Sequence, residues 1–378
     1  MKIAIDLTSI PSQKTGVGKY AIALIKALGK FDDENQYWIF VKRNQAEEFD
    51  PKKKNFHIIL CNNILQSKIL RILWEQFVLP VILLKKRIKL LHSIHYTTPL
   101  LFLFKRITAF HDMTFFLFPK KHTFTKRIFF QLIIPLSAKR SDRLIADSRS
   151  TKRDIQKILG VSMKKIDVVY GTVNPIYHPV ENINAINGIK SQYKIKDRFI
   201  LYVGTLEPRK NVVGLIRAYY KLVLEKGIKH QLVVVGKKGW GYQEIFKTAQ
   251  DLNLDKKIIF TGYVPDNELV FFYNAADIFM YPSLYEGFGI PPLEALSCGT
   301  PTISSNISSM PEVVGNAGIL VNPYNVQEIS QKMYELLVNK ELRLSLREKG
   351  LLRAKKFSEE KMAKETIKSY EKTLKRHD

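Results

Sequence analysis

Apolar residues along this chain of 378 residues fall into short runs that alternate with longer amphipathic stretches. MKIAIDLT opens as an apolar strand ending in a polar turn. A glycine turn, Thr15-Gly16-Val17-Gly18, then leads into an apolar-periodic helix over about 19–30. Further strands are predicted at 37–41, 57–60, 90–94, 108–110 and 143–146, and helices at 66–86, 122–140 and 148–159. Periodicity stops at about 174–195, where Asn174-Pro175, His178-Pro179 and ENINAINGIKSQ read as a linker. The alternation then restarts, with strands at 199–205, 231–236, 257–262 and 278–283 and later in TPTISS and GILV. Helices are predicted between them at 211–226, 242–252, 265–275 and 292–297, and the tail from Lys340 reads as helical and highly charged. Parallel strands joined by right-handed helical crossovers make two doubly wound α/β sheets, with a cleft expected between strand C-termini.

Composition narrows the class. The length suits two domains with separate cores, and 46% apolar residues with mixed charge exclude disorder. Cys61 and Cys298 have no metal or redox spacing, which fits a reducing compartment. No signal peptide is expected, since Met1–Asp6 runs straight into a strand. No run reaches the roughly 18 apolar residues of a membrane span. The net charge of +25 is uneven: residues 1–180 hold 31 Lys and Arg against 13 Asp and Glu, the remainder 29 against 22. In the first half the excess is interleaved with apolar runs at 72–91, 99–107 and 115–136. Basic residues attract anionic head groups by about 1 kcal/mol each, so a peripheral contact with an anionic membrane surface is expected. The other reading of these runs is core helices with a solvated basic face. Nucleic acid is not an expected partner: the pI of about 9.8 invites it, but no nucleic-acid-binding signature accompanies it.

The chemistry concentrates at 281–301, YPSLYEGFGIPPLEALSCGTP. Glu286 and Glu294 bracket a Gly-rich turn, and Pro291-Pro292 suit the first turn of a helix. Backbone amides of the turn beside a helix N-terminus form a site for phosphate. Alone, the pattern is more often that of a helix start with two exposed acids. In FILYVGTLEPRKN, Gly204 closes a strand, and Arg209 and Lys210 precede a helix that Asn211 is placed to cap. Cations at a helix start oppose the macrodipole, so another role is expected, such as neutralising a diphosphate. Gly16-Val17-Gly18 is neither a P-loop nor a dinucleotide fingerprint, lacking the Lys-Ser/Thr and the third glycine. His111-Asp112 follows a strand directly, where a lone histidine is more often structural. Ser148 is a plausible helix cap.

Taken together, Glu286, seven residues, then Glu294, with Gly-Phe-Gly after the first and Ala-x-x-x-Gly-x-Pro after the second, resembles the signature of glycosyltransferase family 4. The resemblance runs along nearly the whole chain. It implies the GT-B fold, with an acceptor-binding Rossmann-like domain over 1–180 and a nucleotide-sugar-binding one over 181–356. A final helix, 357–378, then returns to the first domain. It also implies a retaining, metal-independent hexosyltransferase that uses no cofactor beyond its nucleotide-sugar substrate, GDP- or UDP-linked.

By that resemblance Arg209 and Lys210 contact the donor phosphates, with Gly204 and the Gly287, Phe288, Gly289 and Ile290 backbone beside them. Glu286 positions sugar hydroxyls and Glu294 the ribose. Gly16 and Gly18 form a loop that approaches donor and acceptor. His111 lies over the donor sugar, by imidazole or backbone carbonyl, and Asp112 orients its loop. Ser148 and Lys152 are donor or acceptor contacts, unless they simply belong to a capped surface helix. The hinge-like VVYGTVNPIYHP departs from the family, with Gly-Thr where Asn-Gly is usual. The His-Asp pair resembles mannosyltransferase-type members. Mannose from GDP-mannose is therefore the preferred donor, and a lipid-linked saccharide of lipopolysaccharide, capsule or exopolysaccharide assembly the expected acceptor. The expected place is cytoplasmic, on the inner face of the membrane. The alternatives are a nucleotide-sugar 2-epimerase or hydrolase of the same fold, and a non-enzymatic basic protein that binds nucleic acid or membrane.

Overall fold

The computed structural model describes residues 1–12, 16–102, 104–119, 123–196 and 198–375. The chain divides into two compact units, Met1–Thr172 with Phe357–Asp378, and Val173–Lys356. The first is built on strands β1 (Lys2–Asp6), β2 (Gln36–Lys42), β3 (Phe56–Cys61), β4 (Leu90–Ser93), β5 (Lys105–Phe110), β6 (Arg143–Ala146) and β7 (Ile166–Val168). Among the described residues they form one parallel sheet in the order β3-β2-β1-β4-β5-β6-β7. The second unit carries β8 (Phe199–Val203), β9 (Gln231–Val235), β10 (Ile258–Gly262), β11 (Ile278–Tyr281), β12 (Thr302–Ser305) and β13 (Ile319–Val321), ordered β10-β9-β8-β11-β12-β13.

Strands such as FILYV and QLVVV are buried throughout, as parallel strands covered by helices on both faces must be. In the first unit the two faces have separate cores. Ile3 and Ile5 pack with Leu24 and Leu28 of the helix Gly16–Phe31, whereas Ala4 faces the other way, toward Leu79 and Leu83. The order of the strands reverses between β1 and β4, and between β8 and β11. Outside the strand C-termini at such reversals a crevice opens.

Several expectations need correction. The first unit ends at Thr172 rather than 180, because Tyr177 is buried in the second unit's core, with Ile176 and Val180 packed against it. The supposed linker contains a helix, Ile183–Gln192, whose Asn182 side chain caps Ala185 N at 3.0 Å. The helix expected over 66–86 is interrupted: Lys68–Leu73 passes through a π-helical turn, Trp74–Val78, before Leu79–Lys85. Gly16, Val17 and Gly18 are not a loop but the first turn of their helix; Thr15 lies outside the described residues. Asn211 does stand before the helix Val212–Lys226, but it makes no side-chain cap. Its amide donates instead to the carbonyls of Pro282 and Pro323, joining the loops after β11 and β13.

The last helix, Glu359–Leu374, begins with Ser358 as cap and packs in the first unit. Met362, Ala363 and Tyr370 enter the core beside the helix Gly16–Phe31. Tyr370 donates or accepts at 2.8 Å with His92 Nδ1 on β4.

Candidate active site

In the second unit the candidate residues gather at the C-terminal ends of β8 and β11, on either side of the strand reversal. A tight approach between the ends of β8 and β9 builds that edge. Gly236 has φ of +151°, and a Cβ there would stand 1.9 Å from the Gly204 carbonyl oxygen. A turn at Pro208–Lys210 then presents two cations toward the loop after β11. Arg209 Nη1 donates to the Tyr285 carbonyl at 2.6 Å and to Glu286 Oε2 at 3.1 Å, while Nη2 donates to Glu207 Oε1 at 2.7 Å. Lys210 Nζ donates to Glu286 Oε1 at 2.5 Å and to Tyr281 Oη at 2.8 Å. The hydroxyls of Tyr281 and Ser283 also donate to Glu286 Oε1, at 3.0 and 2.7 Å.

Arg209, Lys210 and Glu286 therefore meet, although the cations and the carboxylate are more than seventy residues apart in sequence. The cations are not bare, however. Glu207 and Glu286 balance them, so a phosphate reaching this edge must share or take over their hydrogen bonds. Burial alone would raise the Glu286 carboxyl, but Arg209 and Lys210 outweigh it and hold the group at about 2. Lys210 is eased below the ordinary lysine value by burial and by Arg209, against the pull of Glu286. Glu286 thus stands as a fixed carboxylate whose Oε1 is already shared by three donors.

The next residues turn sharply into the helix Ile290–Ser297, with Pro291 and Pro292 in its first turn. Gly289 has φ of +100°, and a Cβ on it would lie 2.3 Å from Met310 Cε. Two serines that sequence reasoning passed over hold this turn. Ser309 Oγ donates to the carbonyls of Glu286 and Phe288 at 3.0 and 2.8 Å, and Ser308 Oγ donates to that of Glu286 at 2.5 Å. A trans peptide points its N–H opposite its C=O. Pinning these carbonyls therefore turns the amides of Gly287 and Gly289 away from the serines. No pattern around NISSM signals that role; only the return of β12 beside β11 brings it about. Glu294, one turn into the helix, is buried and accepts from the Tyr273 hydroxyl at 2.8 Å.

In the first unit, the register β5–β6 pairs Phe110 with Ala146. The residues that follow, His111 and Asp147, are consequently neighbours at the sheet's C-terminal edge. His111 Nδ1 lies 2.8 Å from Asp147 Oδ2 and Nε2 lies 2.6 Å from the Ile94 carbonyl. Both partners are acceptors, so the ring satisfies both only as a doubly protonated imidazolium. Burial opposes that charge, yet Asp147 prevails and the His111 value is raised. This corrects the expected role of the ring, since neither nitrogen is open to a sugar hydroxyl. What remains is the backbone carbonyl or the positive charge itself. Asp147 was missed, though it directly precedes Ser148, and extending the register of two foreseen strands would have found it.

Asp112 Oδ1 accepts from Thr114 N, Thr114 Oγ1 and Tyr96 Oη at 2.9, 2.7 and 2.9 Å, and so staples the loop after β5. Ser148 caps the helix Arg149–Leu159, accepting from Thr151 N at 3.0 Å. Lys152 Nζ donates to the Ile166 carbonyl. Both therefore fill the structural roles of a capped helix. Among the described residues, no group of three His, Cys, Asp or Glu is placed to hold a metal ion.

Both halves of the chain are similar to known glycosyltransferases. Residues 14–176 match the profile of Glycosyltransferase Family 4, and residues 186–353 that of Glycosyl transferases group 1. An O-antigen chain mannosyltransferase B of Escherichia coli is 29% identical, over 98% of this chain and 99% of its own. The O-antigen chain mannosyltransferase RfbU of Salmonella typhimurium is 28% identical over 84% and 86%. Among solved structures, Anabaena HepE in complex with UDP-glucose superposes with a TM-score of 0.75 at 15% identity, covering 98% of this chain and 100% of its own.

Proposed function

We propose, from the premise that this chain belongs to the glycosyltransferases, as a family 4 domain followed by a group 1 domain in the GT-B fold, that it transfers mannose from GDP-mannose to a saccharide of O-antigen assembly. The relatives' names support the sugar and the product class. The observation that carries the reading is the meeting of Arg209, Lys210 and Glu286 beside the Gly287–Ile290 turn. In this reading the donor diphosphate takes up Arg209, Lys210 and the turn amides, which stabilise charge as it leaves. Glu286 orients sugar hydroxyls through Oε2, and Glu294 meets the ribose. The bond from the anomeric carbon to phosphate breaks while the acceptor oxygen bonds the same face, and the acceptor proton passes to the departing phosphate. No metal enters the scheme. The acceptor is lipid-linked, and the protein works against the inner face of the cytoplasmic membrane. Among the described residues no helix is long and apolar enough to cross that membrane.

A thermal-shift panel of nucleotide sugars and nucleoside diphosphates tests the donor. GDP and GDP-mannose are expected to raise Tm more than UDP or ADP counterparts, and Arg209→Ala to remove most of that rise. Equal or absent shifts across the panel overturn the GDP-mannose reading. Full transfer by a Glu286→Ala/Arg209→Ala double variant overturns the site.

A further inference from the structure

A helix on a protein surface normally turns its apolar side inward and its polar side outward, and two helical segments of the first unit expose apolar stripes as well. In Lys68–Leu73 and the π-turn that follows, the inward groups are polar. Arg71 Nη1 and Thr97 Oγ1 both donate to buried Glu75 Oε2 at 2.6 Å. Gln76 bonds the backbone of Thr98 and Leu100. The outward groups are apolar, Ile69 (71% exposed), Leu73 and Phe77 (55%), and the stripe continues as Val81 and Leu84 in Leu79–Lys85. The helix Phe124–Arg140 shows a second stripe at intervals of four residues, Phe124 (66%), Ile128, Leu132 (65%) and Leu136.

Both stripes rise from one face of the sheet. Leu79 and Leu83 pack on Ala4 and Leu91, and Ile134 and Ala138 on Phe110 and Leu144. Strand register puts Leu91 beside Arg106, and Leu144 beside Thr108, so alternate residues of β5 link the two cores across the same side. An apolar patch of this extent marks an interaction surface. Its charge selects the partner: residues 61–140 hold 14 Lys and Arg against only Glu75 and Asp112. Both acids are engaged internally, Glu75 by Arg71 and Thr97, Asp112 by Tyr96 and Thr114. Lys85, Lys86, Lys126, Lys139 and Arg140 flank the stripes and are exposed.

We infer that these two helices form one docking surface for an anionic lipid bilayer, with the side chains of both stripes immersed at the interface and the flanking cations over the head groups. Glu75 and Gln76 hold the first segment to the loop after β4 by polar contacts with Thr97, Thr98 and Leu100, Leu79 and Leu83 anchor its continuation on the sheet, and its apolar stripe stays outward. This gives a site to the membrane association in the proposed function, but its test needs neither donor nor acceptor, so either can fail alone.

The test is flotation of the full chain with vesicles of phosphatidylcholine alone or with phosphatidylglycerol added. Binding is expected only with the anionic lipid, weakening as salt rises. Phe77→Ser/Leu132→Ser should lower the partition coefficient at least tenfold with Tm unchanged or raised, since neither side chain supports the core. Lys85→Glu/Lys86→Glu should do the same for anionic vesicles. Wild-type protein that stays unbound, or a serine variant that floats like wild type, overturns the inference. So does a wild-type dimer that the serine pair converts to monomer, since a second copy would then cover this face.

Discussion

At the scale of single residues the chain is governed by charges held in place by opposite charges. Glu286 is ionised because two cations touch it, and its folded value near 2 lies below the ordinary 4.5. A depressed carboxyl contributes stability above its unfolded value and loses it as pH falls through the folded one. That stability, up to about 3 kcal/mol by linkage, is expected to disappear between about pH 4.5 and pH 2. In Glu286→Gln the acid limb of a denaturation profile should flatten over that window, while transfer falls about a hundredfold or more. Both variants leave Lys210 buried without a countercharge, but Glu286→Ala also removes the acceptor of its hydrogen bond whereas the Gln amide oxygen keeps one, so Gln is the cleaner probe.

His111 has the opposite sign. Its value is raised, so its contribution is complete below the unfolded value near 6.5 and is lost as pH climbs through the folded one. Asp147→Asn should return the His111 titration, read by NMR of its ring, to or below 6.5. If the ring still titrates above 6.5 in that variant, Asp147 is not what holds its charge.

At the scale of elements, the decisive unit is the turn between β11 and its helix. The positive φ of Gly289 and the wall formed by Met310 are separate obstacles to a side chain there. Gly289→Ala is expected to cost about 1–3 kcal/mol. Adding Met310→Ala should recover only part, because the clash is relieved and the backbone strain is not. Complete recovery in thermal melts would show the strain to be negligible. Ser309→Ala removes one donor from two buried carbonyls and should cost about 1–3 kcal/mol. Its effect on donor affinity should be larger than on the fold, since the turn amides lose their aim.

At the scale of the whole molecule, the last helix is part of the first unit although it is farthest from it in sequence. Tyr370 is fully buried there, and Ser369 and Lys372 bond Asp167 beside β6. Removing residues 358–378 should lower the melting temperature of the first unit, with the second unit's transition left in place. Tyr370→Ala alone should cost about 3–5 kcal/mol, the range for large aromatic deletions. Hydrogen exchange mapped to each unit separates them, and equal loosening of both would contradict the assignment.

Much of this was legible in the order of residues. Alternating buried strands and amphipathic helices announce themselves because parallel strands need continuous apolar runs and helices a periodic stripe. The Glu-x7-Glu stretch and the Arg-Lys turn named the site, since few other uses place those groups after a strand. Local signals failed where a residue's role depends on a remote partner. Asn211 looked like a cap, but its amide joins two distant loops. Ser309 carried no local mark, Asp147 shows its role only once the register of β5 and β6 is extended, and the side of a helix turned outward cannot be read from its pattern alone. Sequence by itself determined the class of fold and most elements, which follow from short-range periodicity and turn chemistry, and the resemblance to glycosyltransferase family 4 singled out Arg209, Lys210 and Glu286. Tertiary structure alone decided that Glu286 shares its oxygens with those cations, that the His111 ring lies between two acceptors and that two helical segments expose apolar stripes, because burial and pairing depend on groups far apart in the chain.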